Sequence, residues 1–390
     1  MLKDIEHIRV DYAMDRYAGH PRQGGIFDFG GGEIVVVYNR ARCAYRTPAD
    51  VGHDWGGYHV RSQTIAARSV DGGMTWNRDD DVVVSDHTPP ESERMAHITQ
   101  AERDPDVARE AIDLNNRDSA IVFGRAWFGD TDPPRRVTFS IRSADRGRTW
   151  ECVPTPLTTP IGQKIGDGGS DVSKDGHPIV AMADGTHLAA VSHTTDVWLY
   201  GSDDHGIAWE PIARIFTDPM GGGRVAYAGM LLLPSGRLQC YGLNIAGSRD
   251  AIQMCESDDG GYGWSKPRPI VRWGRSPWVG RGAHVSVTGE GAFAKFYRSP
   301  WPLRLADGRI VVFFGRRKPP YGIGLIVSED DGATWGDEQV VRDDASGPDI
   351  GYPAAVEVEP GRLFVAYYYM LDDGNGFGGT RFIAGTHLGI

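Results

Sequence analysis

The residues with the widest chemical reach in this chain are arginines, tyrosines and histidines that sit beside apolar runs. Arg22, Arg40, Arg42, Arg125, Arg249, Arg316 and Arg317 all flank β-prone segments. A planar guanidinium binds a carboxylate through two parallel hydrogen bonds, so several of them converging would make a site for an acidic ligand. Tyr227, Tyr352 and Tyr368 occupy similar flanking positions, as do His177 and His193, while His53, His59 and His284 lie in intervening segments. Imidazoles titrate near neutral pH and suit acid–base work. The four cysteines, Cys43, Cys152, Cys240 and Cys255, are far apart and show no metal-ligand spacing. They read as buried or free thiols, and no metal or other cofactor is implied. Scattered residues of these kinds do chemistry only if the fold gathers them, so the elements that carry them come next.

Two interleaved repeats organise the chain. The first is an eight-residue box: SVDGGMTW at Ser69–Trp76, then Ser143–Trp150, Ser202–Trp209, Ser257–Trp264 and Ser328–Trp335. Ser, Asp, Gly and Trp keep their offsets in all five, while the Thr position relaxes to Ala208 and Gly263. The second repeat is a pair of apolar runs joined by a Gly-containing turn, as in GMLLLPSGRLQCYG and YPAAVEVEPGRLFVAYY; six such pairs read as β-hairpins. Six hairpins and five boxes predict an all-β, six-bladed β-propeller. Its blades would be four-stranded antiparallel meanders, with the box in the turn after strand three. The last unit lacks a box, and IEHIRVDYA near the N-terminus is expected to supply its closing strand, giving one propeller domain over residues 1–390. Within each box, Asp would bond amides of its own turn, Gly would supply a positive φ, Ser would add a second local bond, and Trp would pack between neighbouring blades.

This geometry locates an active face. Strand one of each meander runs inward from one face and strand two returns to it, so the central funnel is lined by residues just before strand one and just after strand two. Those positions hold Arg22, Arg40, Arg42, Arg125, His177, His193, Tyr227, Asn244, Arg249, Trp301, Arg316, Arg317, Tyr352 and Tyr368. The arginines gather here although the protein carries a formal net charge of −11. That overall charge argues against nucleic acid as a partner. No basic start is followed by an apolar run, and no stretch is apolar enough to span a bilayer, so no membrane association and a soluble, cytoplasmic protein are expected.

Five boxes of this form between hairpins resemble the Asp-box repeats of the sialidase (neuraminidase) superfamily. The resemblance covers nearly the whole chain and implies a propeller that handles an acidic sugar or oligosaccharide. Sialidases open with an Arg-Ile-Pro segment whose Arg grips the substrate carboxylate; HPRQGGIFDFGGG is similar and puts Arg22 in that role, with Gln-Gly in place of Ile-Pro. The acid/base Asp of the family lies in the loop after the first hairpin, here YRTPADVGHDWGGYHV, which offers Asp50 and, preferred, Asp54. The nucleophilic Tyr of the family precedes the last hairpin, which implies Tyr352. Its later arginines correspond to Arg249, Arg316 or Arg317, while Arg40, Arg42 and Tyr227 are expected as further substrate contacts from their funnel positions. The family pairs its Tyr with a Glu before an earlier hairpin; here that position holds Tyr227, and Glu290 is the nearest acidic residue. The implied activity is retaining hydrolysis of a glycoside of sialic acid or a related acidic sugar. The same propeller would also accommodate a uronic-acid polysaccharide lyase using His177 or Tyr352 for acid–base chemistry, or a non-catalytic carbohydrate-binding protein.

Overall fold

The computed structural model describes residues 2–53, 57–90, 93, 104, 106–128, 135–157, 160, 176–193, 196–216, 225–244, 251–272 and 297–390. Six antiparallel sheets follow one another along the chain as the blades of a six-bladed β-propeller. The third, fourth and fifth blades are sequential four-stranded meanders: Val180–Phe216, Val225–Arg272 and Tyr297–Ala345. The sixth pairs Gly351–Glu359, Arg362–Leu371 and Thr380–Gly389, and its outer strand is Lys3–Asp11 from the other end of the chain. That pairing joins the two ends, and Asp11 consolidates it. Its buried carboxylate accepts hydrogen bonds from Tyr38 (2.7 Å), Arg40 (3.5 Å) and Arg78, tying the closing strand to the first blade.

The hairpin turns follow the sequence pattern. Gly185, Gly236, Gly308 and Gly361 all take positive φ after Asp, Ser, Asp and Pro. The second blade differs from expectation. AIDLNN forms no strand, and the described part of this blade has three strands, Ala120–Phe128, Arg135–Ser143 and Thr155–Pro156. The reason is local: Asp113 and Asn116 bond the amides of Asn115 and Asp118, and these Asx turns compete with a ladder.

All five boxes are fastened alike. The Ser hydroxyl donates to the Asp carboxylate at 2.7–2.9 Å and accepts the Gly amide at 2.7–2.9 Å. The Asp accepts the amide of the residue before Trp at 2.8–2.9 Å. The Trp rings reach the preceding blade in the ring: Trp76 stacks on Phe364, Trp209 meets Phe123 edge-on, and Trp335 meets Tyr241. The box is thus an inter-blade fastener.

The first blade carries the feature that organises the centre. Its inner strand is split into Arg16–Gly19 and Ile26–Gly30, both paired with Glu33–Arg42. Gly19 lies opposite Asn39 and Ile26 opposite Val36, so residues 20–25 loop out of the ladder as a short helix, Pro21–Gly24. HPRQGG explains it. Pro21 presets the first helical φ, Gly25 ends the turn at φ 90°, and a Cβ on Gly24 would sit 2.3 Å from the Val37 carbonyl oxygen. The loop carries Arg22 into a fully buried position between blades. Its Nε donates to Pro300 O (3.0 Å), and Nη2 faces Tyr227 O (2.8 Å), Ala228 O (2.6 Å) and His177 O (3.3 Å). One guanidinium therefore joins the inner ends of the third, fourth and fifth blades.

Two predictions arise here. Partial burial opposes the charge of Asp71, but the hydroxyls of Ser69 and Thr75 and nearby amides draw its pKa down to about 2, below the ordinary 3.8. A depressed pKa gives stability that is present above the unfolded value and lost as pH falls through the folded one. Asp71→Ala should therefore lower stability by about 1 kcal/mol at neutral pH, as loss of a turn cap does, and by progressively less from pH 4 towards pH 2; thermal melts across that window check it. Arg22→Met should destabilise by at least about 3 kcal/mol, because it orphans buried carbonyls that each cost about 1–3 kcal/mol. Chemical denaturation measures this, and wild-type stability would show that Arg22 is not a structural staple.

Candidate functional site

The inner ends of the first strands share an unusual backbone. In the fourth, fifth and sixth blades the register slips by one residue between Ala226 and Gly229, Arg298 and Trp301, and Gly351 and Ala354. Each bulge holds a non-glycine residue at positive φ: Tyr227 (59°), Ser299 (43°) and Tyr352 (54°). In the first blade His20, at 64°, opens the loop that carries Arg22. Such φ values are disfavoured for L-residues and persist where the surroundings enforce them, as at functional sites. Here they bring three side chains together. The Tyr352 ring meets His20 edge-on at 4.5 Å and Tyr227 at 5.2 Å.

Around this trio lies a polar network. Asp349, fully buried, accepts hydrogen bonds from Tyr368 Oη (2.8 Å), Tyr17 Oη (3.2 Å) and Arg381 Nε (3.0 Å), with His53 Nε2 at 3.6 Å. Burial works to protonate Asp349, but His53, Arg381 and Arg317 together with the Tyr368 hydrogen bond hold its carboxyl well below the ordinary range, so it is an anion. Arg317 donates to Tyr368 Oη (2.6 Å) and Ile350 O (3.0 Å), and its guanidinium carbon lies 6.0 Å from the centre of the Tyr352 ring. Tyr17 stacks on Tyr58 at 3.9 Å and shares a 2.7 Å hydrogen bond with His53 Nε2, while Tyr58 Oη bonds His20 Nδ1. Burial lowers the His53 pKa to about 4, with Arg317, Arg381 and Arg298 adding to the effect against the pull of Asp349.

Burial also raises Tyr352 well above the usual phenol range. Tyr227 adds to the rise through charge and a side-chain hydrogen bond, and Arg298 and Arg317 oppose it. Tyr352 is therefore a neutral phenol beside two guanidinium groups. Arg125 acts on Tyr58 from the second blade. Four arginines, at 125, 298, 317 and 381, thus act on the cluster, and among the described residues Asp349 is its carboxylate.

The structure sorts the residues expected from the sequence. Tyr352, Tyr227, Arg317, Tyr368 and Arg125 belong to this centre. Arg22 turns its Nε and Nη2 to the backbone carbonyls of Pro300, His177, Tyr227 and Ala228. Arg316, on the opposite side of its strand from Arg317, is ion-paired with Glu338. Arg40 is held by Asp11 and Asp81, and Arg42 lies exposed at the end of its strand. His177 is buried with its ring against Phe27 and Phe123, and burial together with Arg22 lowers its pKa to about 3, so it is neutral. Asp50 caps the helix Pro48–Val51, accepting the amides of Arg46 (2.8 Å) and Thr47 (2.9 Å). Asp54, Arg249, His284 and Glu290 lie outside the described residues.

Sequence reasoning missed His20, Tyr17, Tyr58, Arg298, Asp349 and Arg381 as members of the site. Two had a readable signal. Asp349 precedes a first strand, the position the funnel rule selects, and Arg381 stands at the start of a third strand, which leaves the same face where the second strand ends. His20 and Arg298 could be found only from the bulges, which have no simple sequence mark.

The whole fold has solved counterparts. It is similar to a protein of unknown function from Dyadobacter fermentans DSM 18053, with 20% identity, 100% of this chain and 99% of that chain covered, and a TM-score of 0.68. It is also similar to the NanB sialidase of Streptococcus pneumoniae, with 13% identity, 98% of this chain and 71% of that chain covered, and a TM-score of 0.58. At these identities the likeness is one of fold. None of the curated proteins matches the sequence. Residues 122–365 match the family model of the BNR repeat-like domain, from the second blade into the sixth, and the chain is a member of that family.

Proposed function

We infer that the funnel is the active site of a glycosidase acting on an anionic sugar, with Tyr352 as nucleophile. The observation that carries this reading is the placement of Tyr352: a buried phenol held at positive φ, against Tyr227 and His20, under the influence of Arg298 and Arg317. The arginines would neutralise and orient the sugar carboxylate through paired hydrogen bonds. A neutral phenol then suits the attack, because a carboxylate nucleophile would repel the anion. Retaining hydrolysis would proceed through a covalent Tyr352–sugar intermediate, with a second group protonating the leaving oxygen. Asp54 is the residue assigned to that role, on the family resemblance of its loop. A glycoside of sialic acid or a related acidic sugar is the substrate class we propose. The fold likeness to a sialidase supports the reading without deciding it.

One observation favours a second reading. Among the described residues the rings in contact with Tyr352 are those of His20, Tyr227 and Tyr368. A Tyr–His pair under arginines is also what a uronate lyase needs. One group removes the proton beside the neutralised carboxylate and the other protonates the leaving oxygen.

The two are separated by assaying a fluorogenic sialoside alongside uronate polysaccharides. Fluorophore release supports the hydrolase; ultraviolet absorbance from an unsaturated product supports the lyase; saturable binding of anionic sugars without turnover of either supports a binding protein and ends the enzyme reading. Tyr352→Phe should lower kcat at least about 1000-fold, as loss of a nucleophile does, with its melting profile retained. Full activity in that variant would remove Tyr352 from the chemistry.

A further inference from the structure

A phenol must lose its proton as it attacks, and Tyr352 is buried, at 5% exposure. Where that proton goes is set by the partner of its hydroxyl. That partner is Tyr227. The hydrogen bond between the two side chains favours the protonated form of Tyr352, so Tyr352 donates and the Tyr227 oxygen accepts. The geometry agrees: the rings meet edge-on, with centroids 5.2 Å apart at 80°. Both residues sit in one-residue bulges at positive φ, 59° for Tyr227 and 54° for Tyr352. Both are pinned there. The Tyr227 amide donates to Ser192 Oγ (2.9 Å), and its carbonyl accepts from Arg22 Nη2 (2.8 Å). On the other side Gly351 takes φ 112°, and a Cβ there would lie 3.1 Å from Gly315 Cα, so the backbones of the fifth and sixth blades touch just before Tyr352. The Ile350 carbonyl accepts from Arg317 Nε (3.0 Å). Left-handed backbone at a non-glycine residue is costly to maintain, and two such residues held hydroxyl to hydroxyl from different blades form a built arrangement. They differ in one respect that matters for proton movement: Tyr352 is buried, whereas Tyr227 is half-buried.

We propose that Tyr227 is the proton relay of Tyr352, carrying the proton of the buried phenol to solvent and back; this rests on the reading of the funnel as an active site. In the hydrolase, the Tyr352 oxygen bonds to the anomeric carbon as the glycosidic C–O bond breaks, and the leaving oxygen takes a proton from the separate acid. The phenolic proton of Tyr352 passes to the Tyr227 oxygen while the proton of Tyr227 passes to a water molecule. In the second step water attacks the anomeric carbon and gives one proton back to the acid. The bond to Tyr352 breaks, Tyr227 returns a proton to the departing Tyr352 oxygen, and the protonated water restores Tyr227. The sum is one glycoside and one water converted to two alcohols, with both phenols regenerated. A relay of this kind needs no strong base inside the site, because the second phenol gives up its own proton as it receives one.

Tyr227→Phe keeps the ring and removes only the hydroxyl. On the sugar that the wild type turns over, it should lower kcat about 100-fold and change KM by less than about threefold. The dependence of kcat on the deuterium content of the solvent should be more strongly curved in the wild type than in the variant, which has one proton fewer in motion. Tyr227→Phe with at least half the activity and the same deuterium dependence, beside an inactive Tyr352→Phe, would overturn the Tyr227 assignment and leave the funnel reading standing. A loss confined to KM would make Tyr227 a substrate contact and overturn the relay as well. A fully active Tyr352→Phe would overturn the funnel reading itself. A substrate-free measurement stands alongside. In protein isotope-labelled at the tyrosine Cζ, with the Tyr352 resonance assigned through Tyr352→Phe, Tyr227→Phe should move the Tyr352 resonance; the ring at position 227 is retained, so the change reads the lost hydroxyl. An unmoved resonance would overturn the proposal even if no substrate were in hand.

Discussion

The structure depends on one buried guanidinium. A propeller brings six inner strands towards an axis where they diverge too much to pair with one another, so polar backbone is exposed to a dry centre. Unpaired carbonyls there would each cost about 1–3 kcal/mol. Arg22 meets this constraint for three blades, reaching the carbonyls of His177, Tyr227, Ala228 and Pro300 from the loop at Pro21–Gly24. Because two of those carbonyls belong to the Tyr227 bulge itself, the staple also fixes the backbone that presents Tyr227. The arrangement links stability and site geometry through one side chain.

A second constraint is electrostatic. Asp349 is an anion without solvent, and it survives because Arg381, Tyr17, Tyr368 and His53 surround it. A buried charge with this many partners is a specificity device more than a source of stability, since its desolvation offsets much of the attraction. It orders the tyrosines, and Tyr368 in turn holds Arg317.

The box repeats act at the other end of the blades. Trp76, Trp209 and Trp335 each pack on the preceding blade, and each Asp closes its own turn. With the boxes fastening one end and Lys3–Asp11 completing the last sheet, the inner strands are held firmly enough to keep four residues at positive φ. The site is strained because the scaffold around it is fastened on both sides.

The sequence by itself determined what is local and repeated. Box spacing, turn glycines and period-two apolar runs specify strands and turns within a few residues of each other, so the six-bladed count, the fastening role of SVDGGMTW and the face bearing Tyr352, Tyr227 and Arg317 were legible. Which of two adjacent arginines turns inward was not: Arg316 and Arg317 differ by one step of the pleat, and Glu338 decides the outward one. Nor was the use of Arg22, whose partners come from three other blades. Asp349 meets Tyr17 and Arg381, and His20 meets Tyr58, across more than 30 positions, in contacts that no periodicity encodes. The tertiary structure decided these because a buried charge is assigned by whatever the fold places around it, and at the axis of a ring those neighbours come from every part of the chain.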